Sequence, residues 1–127
     1  MSGAYTFDDQ IMTNDRISIA DDFSKYPGPR YERDGADSGE KFRKTVLIPA
    51  LREAKARTAV LTVVLDNVAG YGSSFLEEAF GGLIRSGFTP EELRRHLNIV
   101  AETPRFQHHR VRALSYIAEQ VERLAVA

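Results

Sequence analysis

The sequence predicts an α/β fold, a small mixed sheet with helices packed on it, and three observations carry that expectation. Residues 59–65, AVLTVVL, form a valine-rich run of the length that suits a strand covered on both faces, as in a parallel or mixed sheet. A glycine-bearing turn at residues 67–72 follows, and then an amphipathic segment at residues 75–84. Along the whole chain, strand-like and helix-like stretches alternate, as they do when helices pack on a sheet.

The elements follow in order. Residues 1–15 are acidic and show no period, so they are expected to be a loose N-terminal segment ahead of a domain at residues 16–127. Residues 16–23, RISIADDF, alternate apolar and polar and predict a short strand. Residues 24–39 are rich in turn formers, with Pro27, Gly28, Pro29, Gly35 and Gly39, and residues 30–33 between them predict a brief second strand of a hairpin. Asp37 or Ser38 starts the first long helix, with Asp37 and Glu40 at capping-box spacing. Phe42, Val46, Leu47, Ala50, Leu51 and Ala54 mark its apolar face, and Pro49 inside it predicts a kink or break. The helix after the central strand opens at Ser73 or Ser74, with Ser74 and Glu77 as a second capping box, and ends at Gly87 as a left-handed cap. Gly81 and Gly82 within it imply close packing against another backbone. Thr89-Pro90-Glu91-Glu92 starts a short helix, residues 97–101 form the next strand, and Thr103-Pro104 opens a last helix reaching about residue 125. Arg110 interrupts the apolar stripe of that helix, so its first turn is expected to be wetter.

Bulk properties narrow the function classes. With 17 basic and 18 acidic residues and a net charge of −1, the chain offers no electrostatic footprint for nucleic acid. It holds no cysteine, which removes disulfides, thiolate metal sites and cysteine nucleophiles. The first ten residues lack a basic start and an apolar core, so no signal peptide is expected, and no apolar run approaches a membrane span. A soluble cytoplasmic protein is the expectation. His96, His108 and His109 have no metal-ligand spacing and are expected to face solvent. No nucleophile elbow is present and no carboxylate pair is placed by spacing, so hydrolysis is not expected; the expectation is a non-enzymatic protein without metal or cofactor.

Three motif stretches then carry a resemblance: Pro27-Gly28-Pro29-Arg30-Tyr31; Asp34-Gly35 with Ser38-Gly39-Glu40-Lys41-Phe42-Arg43; and Tyr71-Gly72-Ser73-Ser74-Phe75-Leu76-Glu77-Glu78-Ala79-Phe80-Gly81-Gly82-Leu83. Over roughly residues 17–102 the chain resembles the STAS-like domain family, formerly a domain of unknown function. It is more distantly similar to the STAS domains of anti-sigma-factor antagonists. In those domains a strand ending in Asp leads to a turn whose first serine is phosphorylated by a GHKL-type kinase. The resemblance implies a STAS-like sheet and a non-enzymatic signalling or interaction module. It implies Ser73, with Ser74 beside it, as phospho-acceptor, and a GHKL-type ATP-binding protein or histidine-kinase-like regulator as partner. Gly72 and Phe75 stand where the antagonists carry Asp and Gly.

The residues themselves supply the candidate surface. Residues 71–80 are expected to dock the partner, with Tyr71, Gly72, Phe75 and Glu78 among them, and Gly70 lets a partner approach closely. Ser73 either caps the helix or accepts a phosphate, and the helix dipole favours the negative charge. Asp66 either caps the turn or takes part in metal or phosphate handling. Arg30, with Tyr31, either grips an anion by two parallel bonds or pairs with a local acid to hold the hairpin. Ser38 and Gly39 at the first helix start form a second candidate anion site by the same physics. The alternative function is a small-anion or nucleotide-binding module without catalysis.

Overall fold

The computed structural model describes residues 15–126. The expectation for the N-terminal segment falls almost wholly outside the described residues. Strands β1 (Arg16–Ser18), β2 (Leu61–Val64) and β3 (Leu97–Val100) form one sheet in the order β1-β2-β3, every described pair parallel. The register sets Ile17 beside Val63 and Val63 beside Ile99. Side chains alternate across a strand, so this row, extended by Leu61 and Leu65, lies in or against the hydrophobic core. The opposite row carries exposed Arg16 and Asn98 and half-buried Thr62 and Val100, while Val64 is buried outside the core cluster. The α/β class expected from the sequence is present, with β2 central, but the core gathers on one row instead of being shared by both faces.

The expected mixed sheet becomes a parallel one because its hairpin does not form. Gly28 donates its N–H to Asp37 O at 2.9 Å, Pro29 O accepts from Gly39 N–H at 2.9 Å, and Arg30 O accepts from Glu40 N–H at 3.0 Å. The backbone of residues 28–30 is thus spent on the start of the next helix. Residues 30–33, expected as a strand, instead run into a 3-10 turn, Glu32–Asp34. The first strand is also shorter than expected. Ser18 Oγ accepts from Asp21 N–H at 3.3 Å and Ser18 N–H donates to Asp22 Oδ2 at 2.7 Å. These local bonds compete with strand pairing and start a single helical turn, α1 (Ile19–Asp22).

Helix α2 covers residues 39–56 as an α turn (Gly39–Phe42), a π segment (Arg43–Leu47) and a longer α stretch (Ile48–Ala56). Ser38 is its cap, accepting from Lys41 N–H at 3.0 Å, whereas the Asp37–Glu40 box does not form because Glu40 accepts from Glu32 N–H at 2.9 Å. Of the kink or break expected at Pro49, the break is absent, and the irregularity is a π segment just before it. The widened turn closes with Ile48 N–H on Arg43 O, and Pro49 stands at the start of the next α stretch, where a missing N–H costs least. Phe42, Leu47, Leu51 and Ala54 are buried along its inner face.

Helix α3 covers residues 73–85, again with a π segment between α turns (Ser73–Leu76, Glu77–Gly81, Gly82–Arg85). Gly87 follows at φ +108°, the left-handed end expected of it. Helix α4 (Pro90–His96) begins with a complete capping box: Glu92 N–H donates to Thr89 Oγ1 at 3.0 Å and Thr89 N–H to Glu92 Oε1 at 2.9 Å. After β3, Thr103-Pro104 opens a 3-10 turn (Pro104–Phe106) that runs into α5 (Gln107–Val126). Arg110 in its first turns is half-buried, its Nε donating to Ile99 O at 2.8 Å, so the edge of β3 is tied to α5 there. None of the described helices is long and apolar enough to cross a membrane.

Candidate functional site

The three motif stretches meet where α2 and α3 begin. A Cβ at Gly39 would lie 2.5 Å from Phe75 O, so the first turn of α2 packs backbone to backbone on the first turn of α3. Gly72 faces Gly28 O across the same junction. Ser38 is fully buried there, and its hydroxyl is used as the α2 cap. Ser38 and Gly39 therefore form a packed joint, and the anion site considered for them is closed by protein.

Beside this joint lies a cluster of guanidinium and carboxylate groups. Arg30 Nη1 donates to Glu77 Oε1 at 2.5 Å and to Glu78 Oε1 at 3.3 Å. Arg85 reaches Glu77 at 2.7 and 3.1 Å and Glu78 at 3.3 Å. Arg43 donates from Nη1 to Glu78 Oε2 at 2.7 Å and to Glu78 O at 2.5 Å. Burial pushes the Glu77 pKa up, but the bonds from Arg85 and Arg30 outweigh it and hold the carboxyl below its ordinary value. Burial likewise works against the charge of Arg30, and the bonds to Glu77 and Glu78 more than offset it. The expected local partner of Arg30 is replaced by acids 47 and 48 residues away. Arg30, Glu77, Glu78 and Arg85 line a polar cavity of about 450 Å³ with Tyr31, Glu119 and Arg123. Arg85, Glu119 and Arg123 were not singled out by sequence reasoning, whereas Glu77 was expected as the cap partner of Ser74 and Arg43 only as part of a motif stretch. The adjacent acids Glu77-Glu78, followed eight residues later by Arg85, were the available signal.

The loop from β2 to α3 forms the second part of the site. Asp66 is 2% exposed and accepts from Glu102 N–H at 2.8 Å, Thr103 N–H at 2.7 Å and Thr103 Oγ1 at 2.7 Å. Burial raises its pKa, and these three bonds outweigh it, so the group stays ionised below the ordinary carboxylate range. Its oxygens are committed to the loop after β3. Tyr71 donates its hydroxyl to Leu65 O at 2.7 Å, with its ring 5.8 Å from Phe75 and 5.0 Å from His109. Burial, then the charge of Asp66, pushes the Tyr71 hydroxyl pKa up. Phe75 is buried, so Tyr71 and Phe75 shape the loop from beneath, while Gly70 and Gly72 are exposed above them.

Ser73 is exposed and opens α3. The expected serine caps are absent: Gly72 holds the N-cap position at φ −79°, ψ 148°, with no side-chain cap bond, and Glu77 is drawn off by Arg30 and Arg85. The Ser73 hydroxyl is therefore open to solvent, beside the N–H groups of a helix start that find no acceptor within the helix. Ser74 is half-buried, and Glu78 faces the ion cluster, not the loop surface.

Two histidines also depart from the expected solvent-facing placement. His96 Nδ1 lies 2.8 Å from Ala59 O. His109 packs on Tyr71 and Phe106, and its pKa is lowered by burial and then by the charges of His108 and Arg112. Among the described residues, no group of three or more His, Asp or Glu side chains is placed to hold a metal ion.

A protein-family model described as a STAS-like domain of unknown function (DUF4325) matches residues 38–105, a little over half of the chain. The match takes in α2, β2, α3, α4 and β3, while Arg30 and Tyr31 lie outside it. No curated protein and no solved structure matches the chain.

Proposed function

The chain belongs to the STAS-like domain family, and from that premise we propose that it is a non-enzymatic interaction module switched by phosphoryl transfer to Ser73. Its partner in this reading is a GHKL-type ATP-binding protein or a histidine-kinase-like regulator, docked on the accessible part of residues 71–80, exposed Gly72 and Ser73 with half-buried Tyr71 and Ser74 beside them. The observation that supports the reading is the exposed Ser73 hydroxyl at the entrance of α3, left free because Gly72 holds the cap position. The Ser73 oxygen attacks the γ-phosphorus of ATP, the bond to the β-phosphate oxygen breaks, ADP leaves, and the hydroxyl proton passes to a base of the partner. The product carries about −2 more charge at the dipole end that favours it. Glu77, one turn on, adds little repulsion because Arg30 and Arg85 already neutralise it. The unmodified loop docks, and the phosphate repels an acidic partner surface.

Incubation with ATP and a GHKL-type kinase, read by intact mass, tests this. The expected result is the gain of one phosphoryl group that Ser73→Ala abolishes and Ser74→Ala retains. Ser73→Glu is expected to weaken the complex about tenfold, or ~1.4 kcal/mol. No gain in mass together with no complex overturns the reading.

The alternative, a small-anion or nucleotide-binding module without catalysis, is supported by the cavity at Arg30, Tyr31, Arg85 and Arg123. Against it, Arg30 and Arg85 are both held by Glu77 and Glu78, so an anion must displace a carboxylate. Stabilisation against heat by nucleotides or phosphate would favour this reading.

A further inference from the structure

We infer that His109 is a proton-operated latch on the loop between β2 and α3: neutral, it holds the Tyr71 ring that closes the loop, and protonated, it turns outward and releases it. The latch lies where the first turn of α5 meets that loop. The His109 ring packs edge-on against Tyr71 at 5.0 Å and tilted against Phe106 at 5.9 Å. Its Nδ1 is buried and has no hydrogen-bond partner among the described residues. The neutral ring tolerates this by carrying its proton on Nε2, which leaves only a lone pair inside. Protonation puts an N–H and a positive charge in the same spot, and a buried charged donor without an acceptor is costly.

The surroundings supply nothing to offset that cost. On its own helix His109 meets His108, with ring centroids 3.8 Å apart, and Arg112, and both oppose a further positive charge. The 3-10 turn before α5 brings Arg105, lying over the Phe106 ring. The loop brings Tyr71, whose hydroxyl is donated to Leu65 O, and at its start Asp66, whose oxygens are taken by Glu102 and Thr103. The first turn of α3, residues 73–76, packs on α5 and carries no charged side chain, and Glu77 and Glu78 after it are held in the ion cluster. His109 is half-buried near the start of its helix, so its ring reaches solvent by a change of rotamer.

What the ring leaves behind is the clasp of the loop. The Tyr71 hydroxyl bonds Leu65 O at 2.7 Å and so closes the residues between them. The Tyr71 ring is held by Phe75, fixed in the core, and by His109. Ala69 N–H, bonded to Lys25 O at 2.7 Å, ties the tip of the loop to the turn-rich stretch. Gly72 and Ser73 follow Tyr71 directly, so the clasp sets the order of the α3 entrance. The sign follows from linkage. The closed loop holds a ring whose pKa is lowered by burial, then by His108 and Arg112, whereas the open loop lets it titrate near its ordinary value. Closing is therefore favoured above about pH 6.5 and loses ground as the pH falls below it. The latch is a property of the loop itself and stands whether or not Ser73 takes a phosphate.

The test is NMR of the full chain across neutral and mildly acidic pH, following the His109 ring together with hydrogen exchange at the Ala69 and Val63 amides. The expected result is a His109 titration below the ordinary histidine range. Through the same range Ala69 is expected to lose protection on the order of fivefold relative to Val63 in the central strand, after correction for intrinsic exchange. His109→Phe keeps a ring against Tyr71 but takes no proton, so its Ala69 protection is expected to stay constant relative to Val63. Tyr71→Phe lacks the closing hydroxyl, and its Ala69 protection is expected to be low at every pH. An ordinary His109 titration overturns the proposal, as does an Ala69 amide that changes only in step with Val63, or the same loss in His109→Phe. The His109 titration and the comparison of Ala69 with Val63 are made on the unaltered chain, so they decide the matter even where a variant does not fold.

Discussion

At the end of β2 one carboxylate holds two parts of the chain in register. Asp66 accepts three bonds from Glu102 and Thr103, fixing the loop after β3 against the loop before α3. A hydrogen bond to a charged group contributes about 1.5–3 kcal/mol, and a stranded buried donor costs more than a solvated one. Asp66→Ala is therefore expected to destabilise the protein by about 3 kcal/mol, read as a lower urea midpoint. Acid should do the same gradually. The folded pKa of Asp66 is below its unfolded value, so its contribution is present above the unfolded value and is lost as pH falls through the folded one. Glu77 has the same sign. His109 acts at higher pH: its lowered pKa means that the unfolded chain protonates first, so stability falls as pH drops from about 6.5. Asp66→Asn should flatten the acid limb of a stability–pH curve, and His109→Phe the limb nearer neutrality.

At the scale of elements, α2 and α3 each contain a π segment, and the two segments meet through Arg43 and Glu78. A Cβ at Gly82 would collide with the Arg43 guanidinium, so this glycine makes room for a side chain, and one at Gly81 would lie 2.9 Å from Glu77 Oε2 as well as 3.4 Å from Tyr116 O of α5. The close backbone approach expected of both glycines thus holds at Gly81 alone. Gly82→Ala should cost about 1–3 kcal/mol by forcing Arg43 aside, despite the better helix propensity of alanine. Thermal unfolding beside Gly87→Ala, whose cost is set by its positive φ alone, separates the crowding effect from the backbone effect. Much of the element order was legible from local chemistry: valines in β2, the Thr89–Glu92 box and Gly87 each act within a few residues. The hairpin, the Pro49 break and the Ser74 cap were not legible, because distant groups decided them. Residues 28–30 gave their backbone to α2, a widened turn absorbed Pro49, and Arg30 and Arg85 took Glu77 from Ser74. At the candidate site the sequence pointed to Arg30, Glu78 and Ser73. It could not show that the first two belong to a buried ion cluster and the third to an open loop.

Across the whole molecule, that cluster joins the turn-rich stretch, α2, the start of the α3 π segment and the last residue of α3, and its members are not equivalent. Arg43 and Glu78 have side chains only 10% and 9% exposed, whereas Arg16 and Glu102 pair at 51% and 56% exposure. The exposed pair gains little over water, and Arg16→Ala should change stability by about 0–1 kcal/mol. The buried pair is different because losing one member leaves the other charged, desolvated and alone. Glu78→Ala is expected to cost about 3–5 kcal/mol, since Arg43 then keeps only the Glu78 carbonyl as acceptor. If the penalty lies in the stranded charge, and not in the value of the pair, removing both charges should recover much of it. Arg43→Met with Glu78→Met should be more stable than Glu78→Ala alone, with urea unfolding of the three proteins as the measurement. A double variant as unstable as the single one would mean that the pair itself holds α2 on α3. In that case Ser73, one turn before the cluster, would sit on a helix positioned chiefly by charge.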